Sequence, residues 1–370
     1  MKFDTIIVGS GFSGSVIAER LASIRNEKVL IIEKRNHVGG NAFDYYDENG
    51  ILVHKYGSHT FHTNSKKAWD YLSEYTAWRL YNFKVLADID GIKAPLPFNL
   101  NSAQALFPPT LCDKIEKKLI DTFGFGKKVT ILELMKTKDP DLKFLADFVY
   151  KKVFLNYTIK QWGFKPEELS PEVTGRVPIH ISGDDRYFHD TYQGLPESGY
   201  TKMFERILSH PNIKILLNTD YKGVISEINY DKLIVTSEID RYFDFKFGYL
   251  PYRTLDFEWI FLNREYFQET AMVNYPNCYD FTRITEFKHL TGQVSPRTTI
   301  IKEYPRLRRD EKEIPYYPVP KDEYIEIYKK YEAEAKKLKN TYFLGRLGRY
   351  SYINMDEAVL NSLEFFENIA

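Results

Sequence analysis

Apolar residues recur along this chain in two rhythms, and the switching between them predicts its elements. Residues 4–8 form a short β-branched apolar run, 16–24 carry a helical period, and 28–32 form a second apolar run ending at Glu33. Between the first run and the helix stands Gly9-Ser10-Gly11-Phe12-Ser13-Gly14. Strand, glycine turn, helix, strand and acid follow the order of a complete βαβ unit. From about 65 to 81 the pattern predicts a helix, with Trp69, Leu72 and residues 75–77 on one face. Residues 83–89 followed by Asp90-Gly91 read as a hairpin strand and its turn.

From about 102 to 164 the pattern is mainly helical, with helix starts expected at Ser102, Asp113 and Pro140-Asp141. Residues 166–196 read as loop, 201–208 as a helix and 213–217 as a parallel-type strand. Residues 223–304 look β-dominated, because EINYDKLIVTSEIDRYFDF and RTTIIKEYP both alternate. An amphipathic helix over 324–339, a short strand at 341–344 and a closing helix over 356–366 complete the chain. The expected class is α/β: a Rossmann-like domain built from both chain ends, with an inserted helical domain and an antiparallel β-sheet domain.

Composition narrows the function classes. A chain of 370 residues calls for two or three lobes. Lys+Arg and Asp+Glu are both 51, which argues against a nucleic-acid binder, so anion affinity must come from a few placed arginines. Cys112 and Cys278 fit no CxxC or zinc spacing and read as two reduced thiols. The opening MKFDTIIVGSG is apolar too briefly for a signal peptide, and nothing approaches the ~18 consecutive apolar residues of a membrane span. A cytoplasmic protein is expected. Aromatic residues reach 16%, with 28 tyrosines, which suits a site that stacks a base and hydrogen-bonds a sugar.

The glycine cluster carries the first chemistry. Gly9 permits the tight turn, Gly11 lets backbone amides approach a pyrophosphate, and Gly14 allows close packing of helix on strand. Phe12 and Ser13 open the helix, whose N-terminus favours a phosphate. Glu33 is placed to hydrogen-bond an adenosine ribose and repel a 2′-phosphate. This fingerprint does not separate FAD from NAD. The following Lys34-Arg35-Asn36-His37-Val38-Gly39-Gly40-Asn41 resembles the FAD enzymes of the glutathione-reductase-like and amine-oxidase-like group, whose second Gly-Gly passes close to the cofactor. Gly345-Arg346-Leu347-Gly348, ahead of Asn354-Met355-Asp356, resembles the late glycine strand and helix start that lie beside the flavin in such enzymes. A helix start there would stabilise negative charge on a reduced flavin.

Further blocks make the resemblance specific. GGNAFD at 39–44, GSHTFHTN at 57–64, YTIKQWG at 157–163 and VTGRVP at 173–178 resemble the bacterial UDP-galactopyranose mutases. So do YFHDTYQGLPESGYT at 187–201, PYRTLDF at 251–257, TRITEFKH at 282–289 and GRLGRYSYINMD at 345–356. They fall in order across the whole chain. The resemblance implies an FAD-binding domain over 1–80 with 195–225 and 318–370. It implies a mainly helical uridine-binding domain over 81–175, with a mobile loop near 163–183, and a sheet domain over 176–194 with 226–317.

The implied activity is interconversion of UDP-galactopyranose and UDP-galactofuranose, with reduced FAD as covalent catalyst and no net redox. The resemblance assigns the diphosphate to Arg176 and Arg283, with Arg253 second in rank, because a guanidinium fork matches phosphate oxygens. It gives the uracil to Phe154, Tyr157 and Trp162, and the phosphates and sugar to Asn82, Tyr187, Tyr317 and Tyr352. It places His59 and Thr60 along the flavin, His62 at its reactive edge, and Tyr221, Arg346 and Met355 in the cofactor set. A homo-oligomer, as a dimer, is expected from the family alone. His59 and His62 share no HExxH pattern and suggest no third ligand, so no metal is expected.

The chain departs from the family pattern at Ser58, at Phe83-Lys84, at Val153 and at Asn354, where an aspartate is expected. The last change bears on sugar preference, for example towards UDP-N-acetylgalactosamine. The rival readings are a flavin oxidoreductase of the amine-oxidase-like group and a non-enzymatic FAD module. No second GxGxxG and no CxxxxC redox pair supports the first. Arg306-Leu307-Arg308-Arg309 lies among acidic residues and reads as a solvated surface.

Overall fold

In the computed structural model, residues 2–169 and 177–369 are described, and they divide into two compact units. The first comprises Met1–Tyr81, Asp190–Tyr252 and Pro315–Ala370; the second comprises Asn82–His189 and Arg253–Ile314.

The first unit is built on a five-stranded sheet in which every neighbouring pair is parallel. Its strands lie in the order Ile213–Leu216, Val29–Ile32, Lys2–Val8, Asn229–Val235, Thr341–Phe343. Numbered along the chain this is 3-2-1-4-5, so the order reverses beside the opening strand, where open α/β sheets bind ligands. The Phe12–Arg25 and Met355–Asn368 helices share one apolar core, through Val16, Ile17 and Leu21 on the first and Val359 and Leu363 on the second.

Two expectations change here. The segment 226–317 was assigned to an antiparallel sheet, yet Asn229–Val235 pairs in parallel with Lys2–Val8. Its start alternates because it is partly exposed, but Leu233, Ile234 and Val235 form the continuous buried run of a strand covered on both faces. The helix expected over 65–81 ends at Ser73. The chain then returns as the strand Trp78–Leu80, which stacks Trp78 on Trp69 with ring centroids 4.3 Å apart.

The second unit holds strands in the order Tyr252–Leu262, Thr298–Leu307, Arg283–Glu286, Met272–Asn274, Val85–Ile89, Ile92–Leu96. All pairs are antiparallel except Met272–Asn274 with Val85–Ile89. The hairpin at Asp90-Gly91 forms as expected, with both turn residues at positive φ. The region assigned as helical therefore contributes two strands before its helices begin. Those include Pro109–Phe123, Pro140–Val149 and Asn156–Trp162. Asp139 caps the second, accepting from the amides of Asp141 and Leu142, one residue ahead of the expected start. Tyr150–Leu155 is a π-helical turn, a form that recurs at functional sites.

Candidate functional site

A cavity of about 1180 Å³, including its open mouth, lies in the first unit at the end of the opening strand. Its floor is the glycine turn. Gly9 adopts φ +98°, and a β-carbon on Gly14 would stand 2.0 Å from the Gly9 carbonyl oxygen. The backbone of Gly40 also comes close to the turn: a β-carbon there would lie 2.9 Å from Gly11 Cα. No side chain caps the Phe12–Arg25 helix, which leaves its start open to an anion at the cavity residues Gly11, Phe12 and Ser13. One oxygen of Glu33 accepts from the Ser10 amide (3.0 Å) and hydroxyl (2.8 Å), and the other accepts from the Arg35 amide (3.0 Å). The Glu33 carboxylate thus fixes the turn and still has lone pairs for a ribose hydroxyl.

Twelve of the fourteen predicted cofactor residues line this cavity: Gly9, Gly11, Phe12, Ser13, Glu33, Lys34, Gly40, Asn41, His59, Tyr221, Arg346 and Met355. Gly14 lies beneath the turn. Thr60 is buried, and its hydroxyl has no hydrogen-bond partner among the described residues. The hydroxyls of Tyr221 and Ser237, both in the cavity lining, are likewise buried without partners there. Unsatisfied buried hydroxyls around an open glycine cradle fit a polar dinucleotide.

His59 forms part of the wall with its tautomer fixed. Its Nδ1 lies 2.8 Å from the Gly57 carbonyl, which can only accept, so Nδ1 carries the proton and Nε2 keeps a lone pair. The His59 amide donates to His54 Nδ1 at 2.9 Å. Burial pulls the pKa of both rings down to about 3, and for His59 the neighbouring His54 adds to the effect. Both are neutral at physiological pH.

Arg346 is braced at the cavity wall. Its Nε and Nη2 donate to the Ile353 carbonyl and its Nη1 to that of Tyr316 at 3.1 Å. The guanidinium carbon stands 5.4 Å from the Tyr317 ring and 5.6 Å from that of Tyr352, and the two rings meet edge to face at 5.3 Å. The structure thus brings two predicted substrate tyrosines together on one cofactor-set arginine. The neighbouring Tyr316 lines the cavity itself. His62 does not line it; its Nδ1 lies 2.9 Å from Asp190 Oδ2, and Asn64 donates to the other oxygen at 2.6 Å.

The second unit carries a separate set. Phe154 and Trp162 are buried and Tyr157 is half-buried along the π-turn and the helix that follows. The Tyr187 amide donates to the Phe83 carbonyl at 2.7 Å, and their rings meet edge to face at 5.9 Å. Phe83, one of the departures from the family pattern, therefore forms the base under Tyr187. Asn82 is exposed. Arg283 Nε pairs with Glu303 Oε2 at 3.1 Å across adjacent strands, and its Nη1 lies 3.7 Å from Met272 Sδ. Burial raises the Glu303 carboxyl while Arg283 pulls it back down.

Arg253, expected second in rank for the diphosphate, is engaged within the second unit. Its Nε donates to the Gln161 carbonyl (2.8 Å) and its Nη2 to that of Lys160 (3.0 Å), with the side chain buried. Two of its nitrogens thus close a helix end. Arg176, the other diphosphate arginine and the centre of the expected mobile loop, lies outside the described residues.

Sequence reading missed Arg35, Thr219, Ser237 and Arg241 in the cavity lining. The signal was the run Leu233-Ile234-Val235 followed by Thr236-Ser237-Glu238: a buried parallel strand whose polar end meets the switch point. Among the described residues, no group of three or more His, Cys, Asp or Glu could hold a metal, and no helix is long and apolar enough to cross a membrane.

The family model for UDP-galactopyranose mutase matches residues 152–352, and that for an NAD(P)-binding Rossmann-like domain matches residues 7–75. The chain is 36% identical to a dTDP-fucopyranose mutase of Escherichia coli, over 97% of this chain and 96% of the relative. It is 35% identical to a UDP-galactopyranose mutase of Mycoplasma genitalium, over 98% and 94% of the two chains. A crystal structure of a reduced UDP-galactopyranose mutase superposes with a TM-score of 0.76 at 16% identity, over 99% of this chain and 93% of that one, which establishes the fold. With a family match over half its length and these relatives along nearly all of it, the chain belongs to the UDP-galactopyranose mutase family.

Proposed function

We propose that this protein interconverts UDP-galactopyranose and UDP-galactofuranose, with FAD bound in the first-unit cavity and held reduced. The observation that carries the reading is the braced trio of Arg346, Tyr317 and Tyr352, whose arginine lines the cavity. Two phenol hydroxyls against a braced arginine suit the hydrogen bonding of a nucleotide sugar. Bound in this cavity, a reduced flavin would supply the nucleophile for the anomeric carbon, so that the sugar could open and reclose without electrons being consumed.

The chain's own residues bind and orient. The glycine cradle and the open helix end take the cofactor's pyrophosphate, and Glu33 takes its adenosine ribose. Neutral His59 offers Nε2 as an acceptor without adding a cation to the cavity. Arg283, held by Glu303, and Arg176 receive the diphosphate, and keep the departing nucleotide close enough to return. Phe154, Tyr157 and Trp162 receive the uracil.

A second reading replaces the substrate by a dTDP-linked 6-deoxy sugar, supported by the 36% identity to the Escherichia coli dTDP-fucopyranose mutase. Purified protein reduced with dithionite should be given UDP-galactofuranose, the UDP-N-acetylgalactosamine furanose and dTDP-fucofuranose, with products resolved by chromatography. Conversion of the first to its pyranose supports the proposal; conversion of dTDP-fucofuranose alone replaces it with the second reading. Steady oxidation of NAD(P)H in place of any furanose–pyranose conversion would point to an oxidoreductase.

A further inference from the structure

The helix Asn156–Trp162 ends against a buried cation. Gly163 closes it in the left-handed conformation, at φ +79°, with its amide donating to the Ile159 carbonyl at 2.7 Å. The next two carbonyls in line, of Lys160 and Gln161, are taken by Arg253, which is 4% exposed. A β-carbon on Gly163 would stand 3.0 Å from Arg253 Nη1, so the turn and the guanidinium are fitted to each other. Among the described residues no carboxylate pairs with Arg253. What balances its charge is the negative end of the helix dipole and the two carbonyl oxygens. Burial lowers its pKa to about 10, which leaves it cationic at neutral pH.

The same turn is tied from its other side. Lys160 Nζ donates to the carbonyls of Tyr279 (2.8 Å), Phe281 (3.0 Å) and Tyr275. That loop runs directly into Arg283, two residues beyond Phe281. The last turn of this one helix therefore indexes Trp162 on one side to Arg283 on the other.

We propose that Arg253 is a positioning residue for nucleotide binding: it locks the C-terminal turn that presents Tyr157 and Trp162, and makes no contact with the diphosphate. This rests on the reading that the helix receives the uridine. A guanidinium that bound phosphate directly would distinguish UDP from uridine, whereas one that sets the helix end would affect both alike.

Affinities for UDP and for uridine should therefore be compared, by calorimetry on the cofactor-loaded protein, in wild type, R253Q, R253K and G163A. R253Q is expected to weaken both ligands by the same factor, on the order of tenfold, through lost preorganisation. R253K, which keeps the charge but not the two-pronged fork, should recover part of that loss. In turnover, R253Q should raise KM with kcat held within about twofold, as removal of uniform binding does. G163A keeps Arg253 yet disturbs the same turn, and should also weaken both ligands in parallel; it carries the comparison if R253Q does not fold. Loss of UDP binding with uridine affinity intact, or no change in either, overturns the proposal. Wild-type protein that binds UDP but is indifferent to a change of base would instead overturn the reading of the helix as the uridine receptor.

Discussion

Ser10 holds Glu33 twice: its amide (3.0 Å) and its hydroxyl (2.8 Å) donate to the same carboxylate oxygen, 23 residues away in the chain. The acid we propose for the cofactor's ribose is thus also the acid that shapes the glycine turn. Removing it should damage fold and binding together. E33A leaves two buried donors and one half-buried donor without an acceptor and should cost about 2–4 kcal/mol of stability. Denaturant unfolding would show that loss, and gel filtration should yield protein without bound flavin. Unfolding indistinguishable from wild type would mean that the turn holds itself.

Gly11 and Gly14 should separate fold from binding. A β-carbon on Gly14 would collide with the Gly9 carbonyl at 2.0 Å, so G14A should lower stability even without cofactor, by about 1–3 kcal/mol. On Gly11 the nearest protein atom would be 3.9 Å away, in ordinary contact, while the new methyl group would stand where backbone must approach the pyrophosphate. G11A should keep the thermal stability of the cofactor-free protein and lose flavin affinity. Melting curves with and without added FAD test the contrast.

The His54–His59 pair makes acid stability a signature of this site. Unfolded, each ring takes up its proton near pH 6.5; folded, each does so only near pH 3. Between those values the unfolded chain binds more protons. Stability is therefore full above about pH 6.5 and falls towards pH 3, by about 1.4 kcal/mol per pH unit for each ring. Urea midpoints measured at pH 7, 6 and 5 should show a shallower decline in His54→Asn than in wild type. Identical slopes would contradict the burial of that ring as a neutral group.

Arg346 braces two carbonyls and stands against two tyrosine rings, which a lysine cannot reproduce. R346K should lower activity on the order of tenfold or more while leaving the fold intact, because a loosened constellation misplaces substrate. Steady-state kinetics beside circular dichroism would show it; wild-type turnover would remove the brace from the account.

The opening of the site was legible in sequence because it is local. Gly9, Gly11, Gly14 and Glu33 lie within a single strand–turn–helix–strand segment, and their spacing carries their geometry. The far wall was harder. Thr219, Ser237 and Arg241 reach the cavity through the order of strands in a parallel sheet, which no short window contains. Asn229–Val235 was misassigned because its exposed start alternates while only its last three residues show the buried run. The pairing of Arg283 with Glu303 depends on strand register, and the use of Arg253 on the path of a helix end, neither of which the residue types reveal. Motif resemblance marked Arg253 as a site residue; hydrogen-bond geometry shows what it holds.

The central claim is a pyranose–furanose interconversion that needs a reduced cofactor yet consumes no electrons. One flavin-loaded preparation should be divided, half kept oxidised and half reduced with dithionite under anaerobic conditions, and both given UDP-galactofuranose. The expected result is rapid formation of UDP-galactopyranose in the reduced half alone, over many turnovers for each equivalent of reductant. Equal conversion in both halves, or none in reduced protein that retains its flavin, would contradict it.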